Sequence, residues 1–279
     1  MKLSCIPVSL FKEIIEGSMT VVEWAQVGKE AGLDAIDVSI LFIPDRSREA
    51  VAALRKAIEA TGMRVAMVTS YPDFTHPDGA QRTRELALAQ EVVEASAGLG
   101  AELVRVTAGQ AHPETRREDG IRWATEGLRQ LTDRTRKSGV RLVYENHAKP
   151  GAWTYTDFSQ PPDIFLAIVK GTADVGLGLN FDTANATAFS RDPLGLLEQC
   201  IDRVVSVHAA DTAVYGELKP VLIGTGLAPL EAVFRRLVRA GWDNWICMEE
   251  ASFQGREGIG KAARVVRQLW GRSQEAAGR

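Results

Sequence analysis

Hydrophobic and polar positions alternate along this chain in one repeating rhythm. An amphipathic helical pattern ends in glycine, and a short apolar run follows within a few residues. Ala31-Gly32-Leu33 precedes Ala35–Ser39, Thr61-Gly62 precedes Arg64–Thr69, and Leu99-Gly100 precedes Glu102–Thr107. Ser138-Gly139 precedes Arg141–Glu145, Lys170-Gly171 precedes Val175–Asp182, and Ala240-Gly241 precedes Trp245–Glu249. A glycine after a helix takes the left-handed conformation that closes its last turn, and the chain passes on to a strand. With Leu3–Pro7 and Val204–His208 the pattern predicts eight strands separated by helices. Thr20-Val21-Val22-Glu23 reads as a capping box, and Asp45 or Ser47 can cap the next helix. Eight strand–helix alternations in 279 residues predict a single (β/α)8 barrel. An open doubly wound sheet is the rival, but no G-x-G-x-x-G or G-x-x-x-x-G-K-[ST] loop supports it. The barrel is expected over residues 1–271, with 272–279 a frayed polar tail.

Composition narrows the function. Hydrophobic residues make up 45% of the chain and charged residues 25%, with a net charge of −3 spread along it. No basic block marks a nucleic-acid or membrane surface, and no apolar run approaches a membrane span of about 20 residues. Met1-Lys2-Leu3-Ser4-Cys5 leads directly into a strand pattern without the apolar region of a secretion signal. Cys5, Cys200 and Cys247 are sparse and widely spaced, as expected of buried free thiols in a reducing cytoplasm. Formation of a homo-oligomer is left open.

The chemistry collects where strands end, because barrel sites form at the C-terminal rim. Leu142-Val143-Tyr144-Glu145-Asn146-His147 ends in a carboxylate, an amide and an imidazole. Side chains alternate along a strand, so Val143, Glu145 and His147 share a face. The next three strands end at Asp182, His208 and Glu249. Three carboxylates and an imidazole converging on one rim suit one divalent cation. Mn2+ fits best, and Mg2+, Co2+ or Zn2+ would also be accepted by these ligands. A ring of hydrogen-bonded rim polar groups is the alternative, although three close carboxylates without a cation would repel one another.

His147 is a candidate general acid/base or substrate hydrogen-bonding group, since imidazole titrates near neutrality. Arg105 alternates with Val104 and Val106 and is expected inside the barrel, holding a substrate oxygen or a buried carboxylate. His76 and His112, on loops after strands, are candidate substrate contacts. So are Trp153 and Tyr155, and Asp37 is a rim candidate on strand two. Asp211 is expected behind the metal ligands, and Glu250 in an ion pair among the helices.

Glu145 in Glu-Asn-His, Asp182 in Asn-Phe-Asp-Thr-Ala-Asn, His208 in His-Ala-Ala-Asp and Glu249 in Trp-Ile-Cys-Met-Glu resemble the xylose isomerase-like TIM-barrel superfamily. So do Gly224-Thr225-Gly226 and Ala-Gly-Trp-Asp-Asn-Trp before the last strand. That superfamily holds sugar isomerases and epimerases, with keto-polyol dehydratases and endonuclease IV as relatives. The resemblance implies metal ligation by Glu145, Asp182, His208 and Glu249, and proton transfer by Glu145 and Glu249. It also implies isomerisation or epimerisation of a ketose or keto-sugar through a metal-bound enediolate. A lyase, acting as a keto-polyol dehydratase or by β-elimination on a keto-glycoside, is the alternative, with His147 protonating the leaving group. A non-catalytic sugar-binding barrel is the remaining reading. Three departures bear on the choice. Ketose 3-epimerases carry His at the position of Asn185, here a candidate substrate-binding residue, and Arg at the position of Val214. Xylose isomerase proper has Lys where this chain has His147. Four histidines and no basic groove argue against the three-metal site of endonuclease IV, so no abasic-site cleavage is expected.

Overall fold

The computed structural model describes residues 1–149 and 151–278. Eight parallel strands form one sheet that curls into a nearly closed barrel: β1 (Lys2–Ile6), β2 (Ile36–Ser39), β3 (Val65–Thr69), β4 (Leu103–Val106), β5 (Arg141–Glu145), β6 (Gly178–Asp182), β7 (Val204–Ala209) and β8 (Trp245–Glu249). The order β1-β8-β7-β6-β5-β4-β3-β2 joins each strand from β2 to β8 to the next in sequence and closes β8 onto β1. At the β1–β2 seam Asp34 stands in for the ladder. Its N–H donates to the Leu3 carbonyl at 2.8 Å, and its carboxylate accepts the Leu3 N–H at 2.8 Å.

The helices are α1 (Phe11–Ile15), α2 (Val21–Glu30), α3 (Arg48–Ala60), α4 (Gly79–Gly98), α5 (Arg117–Thr135), α6 (Pro162–Gly171), α7 (Thr183–Phe189), α8 (Pro193–Glu198), α9 (Leu230–Arg239) and α10 (Gly255–Ala277). Thr20 and Glu23 form the expected capping box on α2. Ser47 caps α3, while Asp45 accepts the Ser47 N–H. The outward strand faces pack under the helices in a large apolar layer. Met67, Leu103, Val143, Val205, Trp245 and Cys247 belong to a second cluster inside the barrel. All three cysteines are free and buried.

Two local expectations change. Gly32, Gly62, Gly100, Gly139 and Gly241 have positive φ, as a closing glycine requires, but Gly171 does not. It stays within α6, where an added Cβ would lie 2.8 Å from the Thr125 methyl. The left-handed residue is Gly176, at φ 79°, and β6 therefore begins at Gly178 rather than Val175. The segment from Arg272 is not frayed but continues α10 to Ala277. Ser273 is buried and donates to the Leu269 carbonyl, and Arg272 pairs with Glu231.

Candidate metal centre

Alternation along the strands sets the site. On β5, β6 and β7 the inward side chains near the rim are Glu145, Asn180 with Asp182, and Ser206 with His208. The last residue of β8 is Glu249. Ligand-type atoms of Glu145, Asp182, His208 and Glu249 all lie within 4.8 Å of one another. Among the described residues this is the one such group of three or more. Glu145, Asp182 and His208 are buried, while the Glu249 side chain is 25% exposed and faces the opening.

The donor chemistry fits a cation. His208 Nδ1 lies 2.6 Å from a Glu145 oxygen and 3.1 Å from Glu249 Oε2. Among the described residues, however, His208 Nδ1, Glu145 Oε2 and Asp182 Oδ2 complete no well-directed hydrogen bond. Buried polar atoms left this way are costly unless something else satisfies them. A divalent ion would satisfy all of them at once.

Electrostatics agree with crowding. Burial pushes the Asp182 carboxyl well above its usual range, and Glu249 and Glu145 add to the rise. Burial would lower the His208 imidazole, but the carboxylates of Glu145 and Glu249 outweigh it and push it well up. Burial would raise Glu145, yet His208 and Arg105 bring it down to about 2. In the protein alone, protons therefore do part of the work of charge balance.

A polar scaffold holds these groups. Asn180 donates to Glu145 Oε1 at 2.7 Å and accepts from Ser206 at 2.7 Å. Asn146 clamps the end of β6, donating to the Asp182 carbonyl at 2.9 Å and accepting the Asp182 N–H at 2.8 Å. Asp182 Oδ1 caps α7 through the Asn185 N–H, which leaves Oδ2 for the cluster. Arg105 points into the barrel, 3.2 Å from Glu145 Oε2. It also donates to the Ser70 carbonyl and lies over the Tyr71 ring. Of the two roles expected for Arg105, the geometry provides the carboxylate pairing.

His147 lies on the Glu145 face as alternation predicts, with Nε2 3.9 Å from Glu145 Oε2. Its Nδ1 is 3.7 Å from Asp157 Oδ2, and Asp157 is fixed by the N–H and hydroxyl of Ser159. Burial, reinforced by Arg105, lowers His147 to about 4, so it is neutral at pH 7 rather than poised near neutrality. Burial raises Asp157 to about 8. Sequence reading missed Asp157, because it lies in the long segment after β5 and no spacing rule ties it to His147.

Other candidates fall elsewhere. His112 donates to or accepts from Asp73 at 2.7 Å. Its ring meets His76 and Tyr155 edge-on, at 4.7 and 5.4 Å between centroids. Gln110 donates to Asp73 and accepts the N–H groups of Thr154 and Tyr155. This network ties the loops after β3, β4 and β5 together, and neither His76 nor His112 lines the cavity at the barrel mouth. Trp153 is buried and packs edge-on to His147. Asn185 is buried beside Asn146 and His147, and its carbonyl oxygen has no partner among the described residues.

Three further expectations are corrected. Asp37 is not at the rim; it is buried inside the barrel, accepting from Ser4 and the Met67 N–H, and burial raises it to about 7. Asp211 does not stand behind the cluster. It accepts backbone N–H groups from Thr212, Gly224, Gly226 and Ala228 and so folds the Gly224-Thr225-Gly226 loop. Among the described residues Glu250 makes no ion pair; its carboxylate accepts the Ser252 N–H and shapes the turn after β8.

The mouth opens into a cavity of about 420 Å3 that includes Arg105, His147 and Glu249 in its lining. Comparison with known proteins places this architecture. The chain is 24% identical over 253 residues to L-ribulose-5-phosphate 3-epimerase UlaE from Escherichia coli O17:K52:H18, covering 85% of this chain and 84% of that protein. A D-tagatose 3-epimerase-like protein superposes with a TM-score of 0.79 at 17% identity, over 99% of each chain. AsbF from Bacillus anthracis, described as a probable 3-DHS dehydratase, superposes with a TM-score of 0.75 at 12% identity, over 96% of this chain and 99% of that one. A family model, the xylose isomerase-like TIM barrel, matches residues 25–269. With the nearly closed eight-stranded barrel, that match makes this chain a member of the xylose isomerase-like TIM barrel family.

Proposed function

We propose that this protein is a divalent-metal-dependent isomerase or epimerase of a ketose or keto-sugar, working by proton abstraction next to the carbonyl. The observation that carries the reading is the buried, under-satisfied cluster of Glu145, Asp182, His208 and Glu249, with its ligand-type atoms within 4.8 Å of one another. The named epimerase among the relatives acts on a ketose phosphate. Mn2+ suits three carboxylates and an imidazole best, and Mg2+, Co2+ or Zn2+ are accepted by the same donors. When bound, the ion supplies a Lewis acid that polarises a carbonyl and acidifies the neighbouring C–H.

The chain's own groups do the rest. Glu145 and Glu249 are the proton-transfer pair. Glu145, held ionised by His208 and Arg105 against the effect of burial, is the base fixed inside the barrel. Glu249 is the one partly open to the cavity. Arg105 keeps Glu145 oriented.

A lyase reading has its own support. His147 is neutral, with Asp157 behind Nδ1 and Glu145 beyond Nε2. Burial keeps Asp157 protonated at pH 7; an acid facing Nδ1 leaves the ring proton on Nε2 and can replace it through Nδ1 as Nε2 gives its own away. That nitrogen could protonate a departing group β to the carbonyl after Glu145 or Glu249 has taken the α-proton.

Incubating the Mn2+-loaded protein with a panel of ketoses and keto-glycosides, read by NMR, separates the outcomes. An epimeric or isomeric sugar supports the first reading, and an unsaturated carbonyl product the second. No conversion across the panel contradicts both. Metal uptake should also depend on pH. Because Asp182 and His208 are both raised in the protein alone, an incoming ion must displace protons from them. Affinity should therefore fall as pH falls. Calorimetry in buffers of different ionisation enthalpy should report net proton release, and uptake without release would contradict this ligand set.

A further inference from the structure

The cavity above the cluster is lined by two unlike kinds of side chain. Its lining includes the polar Arg105, His147 and Glu249 and an aliphatic and aromatic set, Val8, Phe11, Ile15 and Leu41. Ile15 is 52% and Leu41 43% exposed, unusual for aliphatic side chains bordering a polar site. Phe11 in turn packs edge-on against the buried Phe42, with centroids 4.8 Å apart, so the aliphatic wall has a rigid backing. Phe253 adjoins the same side. Its N–H donates to Ser9 Oγ at 2.7 Å, one residue from Val8, and its side chain is 73% exposed. Its φ of 58° is the one positive value outside glycine among the described residues. That conformation is strained for a bulky residue, and such strain gathers at ligand clamps.

An exposed apolar surface beside a few convergent polar groups is the usual make-up of a small-molecule site. Sugar hydroxyls set against it would give up water and gain no partner. A phosphate is no better served. Among the described lining residues the cations are Arg105 and Lys149, and Arg105 is held by Glu145, whereas phosphates are gathered by several N–H or guanidinium donors. We propose that the substrate is a keto-sugar glycoside with an apolar aglycone, an aryl or alkyl group of about one ring. The sugar carbonyl lies toward Glu145 and Glu249, and the aglycone lies against Val8, Ile15 and Leu41. This rests on the reading of the site as one that enolises a carbonyl sugar, and it names the substrate class.

Calorimetry on the full chain, run with and without Mn2+, tests it with phenyl 3-keto-β-D-glucoside, the methyl 3-keto-β-D-glucoside and L-ribulose 5-phosphate. The phenyl glycoside should bind at least about tenfold tighter than the methyl glycoside, the gain expected from removing most of a ring from water, and the phosphate should bind weakest. In the double variant Ile15→Ser, Leu41→Ser the phenyl advantage should shrink to about threefold or less. Both positions are exposed, so melting temperature and Mn2+ affinity should hold. Equal binding of phenyl and methyl glycosides, tighter binding of the phosphate, no binding of either glycoside, or an advantage that survives in the variant would each overturn the proposal. Failure to take up Mn2+ would instead overturn the metal reading, and the phenyl-to-methyl comparison without metal would still decide the role of the wall.

Discussion

Glu145→Gln and Glu249→Gln should each lower turnover by roughly a hundredfold or more, the usual contribution of a positioned general base. Glutamine keeps the shape and one acceptor oxygen but cannot take a proton. The two variants should differ in stability. Glu145 is buried against Arg105 at 3.2 Å, and removing one partner of a buried pair leaves an uncompensated charge. Glu145→Gln should therefore melt at a clearly lower temperature. Glu249 is partly exposed, so its variant should melt close to the parent. Steady-state rates at measured metal occupancy, with thermal melts alongside, check both statements. Turnover within tenfold of the parent in either variant would remove that residue from proton transfer.

Asp182→Asn and His208→Ala should each weaken Mn2+ binding by at least about a hundredfold, since loss of a mere outer partner of a ligand already costs 10–100-fold. The asparagine variant is the cleaner of the two. Asp182 Oδ1 caps α7 through the Asn185 N–H, a bond that an asparagine oxygen can still accept, so the change isolates the oxygen that faces the cluster. His208→Ala leaves Glu145 and Glu249 facing each other without the imidazole that now lies 2.6 and 3.1 Å from them. Titration calorimetry with elemental analysis reads both, and native affinity in either variant would strike that residue from the ligand set.

The parts of this molecule legible in its sequence are those that obey a period. Strand ends fall where apolar runs stop, and alternation puts Glu145, Asp182 and His208 on the inner face together with Arg105. Asn180 and Ser206 stand two residues before Asp182 and His208, so the same rule could have found them. What was not legible depends on loops crossing between strands. The contact of Asp157 with His147 spans ten residues of irregular chain, and the pairing of Asp73 with His112 links two separate loops. Nor does sequence say which side of a strand end a polar residue will serve. Asp37, Asp211 and Glu250 all sit at or near strand ends. They are spent on the barrel interior, a loop's N–H groups and a turn. The tail misled because its polarity hides one buried position, Ser273, which keeps α10 going.

Deuterium incorporation tests the central claim most directly. The Mn2+-loaded protein, incubated in D2O with the carbonyl sugar it converts, should place solvent deuterium on the carbon next to the carbonyl. Label should be lost together with turnover in Glu145→Gln and Glu249→Gln. Product formed at the parent rate with no solvent label, the hydrogen having moved directly between carbons, would contradict proton abstraction by these carboxylates.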